Sequence, residues 1–92
     1  MKTESLKLKR AKFPANVSGP QIKRLRMARG WSQAKLAERL QLNGLDVGRE
    51  MVARVECQTH RIRDLEIPFF ARTLGVDISR LFIPDDHKWL PG

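Results

Sequence analysis

The sequence predicts an all-α fold, a compact bundle of five short helices, on three observations. No stretch alternates apolar and polar residues over the length of a strand. Apolar residues recur instead at helical spacing, in the groups Ile22 and Leu25, then Leu36, Ala37 and Leu40, then Met51, Val52 and Val55, then Ile67, Phe70, Ala71 and Leu74. Helix-starting and helix-stopping residues punctuate those groups: Ser18-Gly19-Pro20, Gly30, Ser32, Asp64, Gly75 and Asp77. With 92 residues and 41% hydrophobic content, the chain supplies one modest core.

Residues 1–18 scatter single apolar residues among charges and contain Pro14, so they read as a flexible basic arm. "SGPQ" starts the first helix, with Ser18 or Gly19 as cap and Pro20 in the first turn, where its missing N–H is harmless. The helix should run to about Arg29 and stop at Gly30, a residue suited to a left-handed cap. Ile22, Leu25, Arg26 and Arg29 share one side of it, which sets Arg26 on an apolar stripe.

Ser32 caps the second helix. "QLNGLDVG" marks a loop, and a third helix follows from about Arg49 to Glu56. "CQTHRIR" is a connection without apolar period. Asp64 is expected to cap a fourth helix, with Pro68 tolerated in its first turn and Gly75 closing it. Asp77 is expected to cap a last short turn whose Ile78, Leu81 and Phe82 close the core. The organisation is therefore an arm over residues 1–18, a domain over 19–83 and a tail over 84–92.

Lysine and arginine number 18 against 10 acidic residues, a formal charge of +8, which directs attention to a polyanionic partner. The charge is polar: residues 1–30 hold nine basic groups against Glu4 alone, whereas acids outnumber bases from Asp64 onward. Cys57 is the only cysteine, excluding an internal disulfide and a multi-cysteine zinc site. No apolar run reaches the ~18 to 20 residues of a membrane span, and the N-terminus lacks a secretory core, so a cytoplasmic protein is expected.

On the third helix, Met51, Val52 and Val55 cluster on one side, and Arg49, Glu50, Ala53 and Arg54 on the other. Two readings of the polar face stand open. Arginine can grip guanine, a carboxylate can accept from cytosine, and alanine can lie against a thymine methyl, so the face suits a DNA major groove. Alternatively, Glu50 and Arg54 form an ordinary intrahelical pair worth ~0.3 to 0.5 kcal/mol on a solvated face.

The ordered pattern "IKRLRMARGWSQAKLAERL", a loop, "VARVE" and "ARTLGVDISRLF" resembles the lambda-repressor-like (Cro/repressor, XRE family) helix-turn-helix domain over about residues 19–83. The resemblance implies that this chain binds double-stranded DNA as a small transcriptional regulator, cytoplasmic and nucleoid-associated when bound. It implies base reading by Arg49, Glu50, Ala53 and Arg54. Backbone contact is implied for Ser32, Gln33, Met51, Thr59, Arg61, Arg63 and Lys23, with the arm residues Lys7, Lys9, Arg10 and Lys12 either following the duplex or staying in solvent. Arg26 and Glu56 match an ion pair that joins the first and third helices, which accounts for an arginine on the apolar stripe. The sequence departs from the pattern twice: the turn between helices 2 and 3 is lengthened by "QLNGLDVGR", and "CQTH" replaces the glycine usual soon after the glutamate.

His60 reads as an exposed loop residue and Cys57 as a small packed one. Leu65 and Phe69 point off the main stripe; with Trp89 in the tail they either cover neighbouring loops or form a homodimer surface. No cofactor, metal or small-molecule site is expected, and no acid/base dyad or activated nucleophile points to an enzyme. Two other functions stand beside DNA binding: a protein-interaction module on the same fold, and an RNA-associated basic protein, which the lack of Tyr and of aromatics among the basic residues disfavours.

Overall fold

The computed structural model describes residues 14–82, so the arm lysines and Arg10, and the tail with Trp89, lie outside the described residues. Four α-helices follow one another: α1 (Gly19–Ala28), α2 (Gln33–Leu42), α3 (Arg49–Glu56) and α4 (Ile67–Leu74). The expected fifth helix is a single 3-10 turn, Ile78–Leu81. Among the described residues there is no strand.

Each helix delivers its apolar side to one core: Ile22 and Leu25 from α1, Leu36, Ala37 and Leu40 from α2, Met51, Val52 and Val55 from α3, and Phe70, Ala71 and Leu74 from α4, closed by Leu81. α2 packs on α3 and α4, while α1 lies across α3, α4 and the 3-10 turn. Each buried Ile, Leu, Val, Met or Phe contributes ~1.5 to 3 kcal/mol over exposure, so the packing of amphipathic faces, not the stability of any 8- to 10-residue helix, fixes the arrangement.

The helix ends follow local chemistry, with two corrections. Gly30 (φ 71°) and Gly75 (φ 72°) take the left-handed conformation that ends α1 and α4, and Ser32 Oγ accepts from Lys35 N at 3.0 Å at the start of α2. Ser18, however, is buried in a helical conformation without a side-chain cap bond. Asn16 serves the start of α1, its Oδ1 accepting from Gly19 N at 2.7 Å. Asp64 does not cap α4 either: Glu66 stands at that boundary, its carboxylate turned back to Arg63 N at 2.9 Å.

Ile78, expected in the core, is exposed, and Phe82 is half-buried. In a one-turn element, Asp77 turns inward on Ser79 and only Leu81 reaches the core.

The long α2–α3 connection is pinned rather than loose. Leu45 and Val47 pack against the core, Gln41 Nε2 donates to Val47 O, and Asn43 Nδ2 donates to Thr73 Oγ1 on α4 at 3.1 Å. Gly44 stands at φ +106°, and a Cβ there would lie 3.4 Å from Phe69 Cε1. Phe69, half-buried, therefore covers this turn, whereas Leu65 is exposed.

Candidate nucleic-acid interface

The site is built from behind by one buried ion pair. Arg26 Nε meets Glu56 Oε2 at 2.6 Å and Nη2 meets Oε1 at 3.0 Å, a two-pronged contact between α1 and α3. Arg26 Nη1 donates to the Trp31 carbonyl at 2.6 Å, and Gln33 Nε2, from the start of α2, donates to Glu56 Oε1 at 3.0 Å. The side chains of Arg26 and Glu56 are 10% and 2% exposed, so the pair is desolvated and tolerates little displacement. Three helices are thereby fixed around one carboxylate.

Trp31 closes this junction on the outside, half-buried, with the Arg39 guanidinium 5.1 Å from its ring centre.

Above that support, α3 turns Arg49, Glu50 and Arg54 to solvent, with Ala53 half-buried between them. No ion pair joins Glu50 to Arg54, so the intrahelical pair does not form, and the Arg54 guanidinium has no partner among the described residues. The two arginines are five residues apart, ~7.5 Å along the axis at ~1.5 Å per residue. An α-helix ~10 to 12 Å across matches a major groove ~12 Å wide.

Flanking groups line up unevenly. Ser32 and Gln33 sit at the free N-terminus of α2, where unpaired N–H groups suit a phosphate. Arg61 and Arg63 are exposed on the loop after α3, Arg63 with its Nε 3.8 Å from Glu66. Thr59 Oγ1 donates to Arg54 O at 3.2 Å, and Lys23 is exposed on α1. Met51, expected at the edge of the contact, is 9% exposed and belongs to the core with Val52 and Val55 of the same helix.

The loop also corrects two smaller expectations. Cys57 is exposed, not packed. His60 is half-buried, its Nε2 3.8 Å from Glu66 Oε1.

Asn16 and Gln58 were not among the candidates, and both shape this end of α3. Gln58, within the CQTH connection, takes the left-handed conformation with φ +64°. Its Nε2 donates to Asn16 O at 2.9 Å, and Ala15 N donates to Gln58 O at 2.9 Å. Residues 15–18, expected in the arm, are therefore held by the domain. No periodicity announces such a contact; the only sequence sign was an asparagine close before a helix start.

Among the described residues no cluster of three or more His, Cys, Asp or Glu could hold a metal, and no helix is long and apolar enough to cross a membrane.

No family model matches the chain, and no curated protein matches it. Among solved structures it is similar to a hypothetical transcription factor, NHTF, from Neisseria, with 27% sequence identity over 80% of this chain and 79% of that one, at a TM-score of 0.68. The likeness is to a transcription-factor-like helical fold.

Proposed function

We propose that this chain is a sequence-specific double-stranded-DNA-binding transcriptional regulator of the lambda-repressor-like type, a small cytoplasmic repressor with no catalytic activity. One observation carries the reading: α3 presents Arg49, Glu50 and Arg54 outward beside half-buried Ala53, in no ion pair among the described residues, on a helix fixed from behind by the buried Arg26–Glu56–Gln33 junction. Base reading needs side chains that are free to bond yet rigidly placed, because a misplaced donor loses the bidentate geometry that distinguishes one base from another. The structural likeness to a transcription factor supports the same direction.

In this reading α3 enters the major groove, and Gln33, Thr59, Arg61 and Arg63 meet the phosphates on either side. Phosphate contacts set register; the α3 face sets sequence. Exposed Leu65 and the segment 84–92 pair two copies, so that two α3 helices address half-sites ~34 to 36 Å apart.

The test is selection from a randomised duplex pool in the presence of single-stranded RNA competitor. An enriched duplex motif with two-fold symmetry is the expected outcome. No enrichment, or equal retention of the RNA, sinks the proposal in favour of a protein-interaction or RNA-associated role.

A further inference from the structure

Asn16 spends its whole side chain on other parts of the domain. Its Nδ2 donates to Val55 O at 3.1 Å and to His60 O at 2.7 Å, so both amide hydrogens are used on backbone 39 and 44 residues away. Its Oδ1 holds the first N–H of α1, that of Gly19, at 2.7 Å. Its own carbonyl takes the Gln58 side chain at 2.9 Å.

The approach is close. A Cβ on Gly19 would fall 2.2 Å from Val55 O, so only glycine lets the start of α1 touch the end of α3 here. Gln58 stands at φ +64°, a conformation costly for a side chain with a Cβ, and it persists with its amide bonded to Asn16 and its carbonyl to Ala15 N. Thr59 N and His60 N both turn back to Arg54 O, at 2.9 and 3.2 Å. The backbone from Val55 to His60 is thus stapled to residues 15–19, and the loop that carries Thr59, Arg61 and Arg63 departs from that staple.

We infer that Asn16 is a positioning residue for DNA-backbone contact: without meeting DNA itself, it sets the loop after α3 so that Thr59, Arg61 and Arg63 reach phosphates in register with the base-reading face. The inference rests on the DNA-binding reading and adds what aligns its two kinds of contact. Gln58 is the second member of the device.

Stability and binding should part company when the staple is cut. Gln58→Gly relieves the left-handed backbone and removes the bond to Asn16 O, so the fold keeps or gains stability while affinity falls. Asn16→Ala removes three side-chain bonds. On the duplex selected by the unaltered protein, each variant should bind about tenfold or more weakly, keep the same order of preferred bases, and show a log–log salt slope lower by about 1 to 2, since each lost phosphate contact removes ~0.9. Free of DNA, the Thr59 and His60 amides should exchange faster in Asn16→Ala, by a larger factor than the Leu36 and Phe70 amides.

A Gln58→Gly protein with full affinity and slope overturns the inference, and this variant decides even if Asn16→Ala fails to fold. Unchanged exchange at Thr59 and His60 in a folded Asn16→Ala also overturns it. If the unaltered protein selects no duplex, the DNA-binding reading falls and this inference with it, an outcome distinct from variants that match wild type on a real site.

Discussion

Replacing Glu56 by alanine is the sharpest perturbation of the support beneath α3. It deletes the acceptors at 2.6 and 3.0 Å from Arg26 and the acceptor at 3.0 Å from Gln33. The guanidinium stays where it was, its side chain 10% exposed, with the Trp31 carbonyl as its remaining bond. Two charge-assisted hydrogen bonds at ~1.5 to 3 kcal/mol each give ~3 to 6 kcal/mol. Breaking one side of a buried pair costs ~3 to 5 kcal/mol by a separate route, and the two agree. Against a total stability of ~5 to 15 kcal/mol, the loss approaches half. In urea, with a slope of ~2 kcal/mol per M, a 4 kcal/mol loss moves the midpoint down by ~2 M, read by helical circular dichroism. The double substitution Arg26→Met with Glu56→Leu removes both charges and should recover most of that shift. A Glu56→Ala midpoint within ~0.5 M of wild type, or a double variant as damaged as the two singles added, would refute the reasoning.

Two other perturbations test neighbouring parts of the structure. Gly19→Ala forces a Cβ to within 2.2 Å of Val55 O, so α1 must back away from α3, with an expected cost of ~1 to 3 kcal/mol in urea denaturation. The hydroxyl of Ser79, and then its N–H, bond the Asp77 carboxylate and hold its pKa below the ordinary 3.8. Because the folded state lowers that pKa, the contribution is complete above the ordinary value and disappears as pH falls through the lowered one. Urea midpoints followed from neutral pH down to about pH 2 should therefore lose less for Asp77→Asn than for wild type over that acidic interval.

Much of the fold was legible because it rests on periodicity. Ile22 and Leu25, Leu36 and Leu40, Val52 and Val55, and Phe70 and Leu74 mark buried faces by spacing alone, and Gly30 and Gly75 mark ends by the backbone angle they permit. Arg26 was legible as an anomaly, a charge on an apolar stripe, and its partner lies 30 residues away.

What escaped was set by long-range or very local competition. Asn16 lies in a stretch without period, and its bonds to Val55 and His60 exist only once the helices have packed. Asp64 and Glu66 are equivalent in composition near a helix start; the choice falls on Glu66 because its carboxylate closes a turn onto Arg63 N. Met51 lies on the apolar side of α3 and is buried there, while Phe69, at the margin of its stripe, lies against Gly44 in the 43–48 loop, one of the two places the sequence leaves open for it.

The claim that α3 reads base edges while the following loop holds phosphates is tested most directly by comparing Arg54→Ala with Arg61→Ala on the selected duplex and on single-base variants of it. Arg54→Ala should lose ~1 to 3 kcal/mol and erase preference at one base step, whereas Arg61→Ala should weaken all duplexes alike and flatten the salt slope by ~0.9. If both variants lose affinity equally across every duplex, with the base preference intact, α3 is not the reading element.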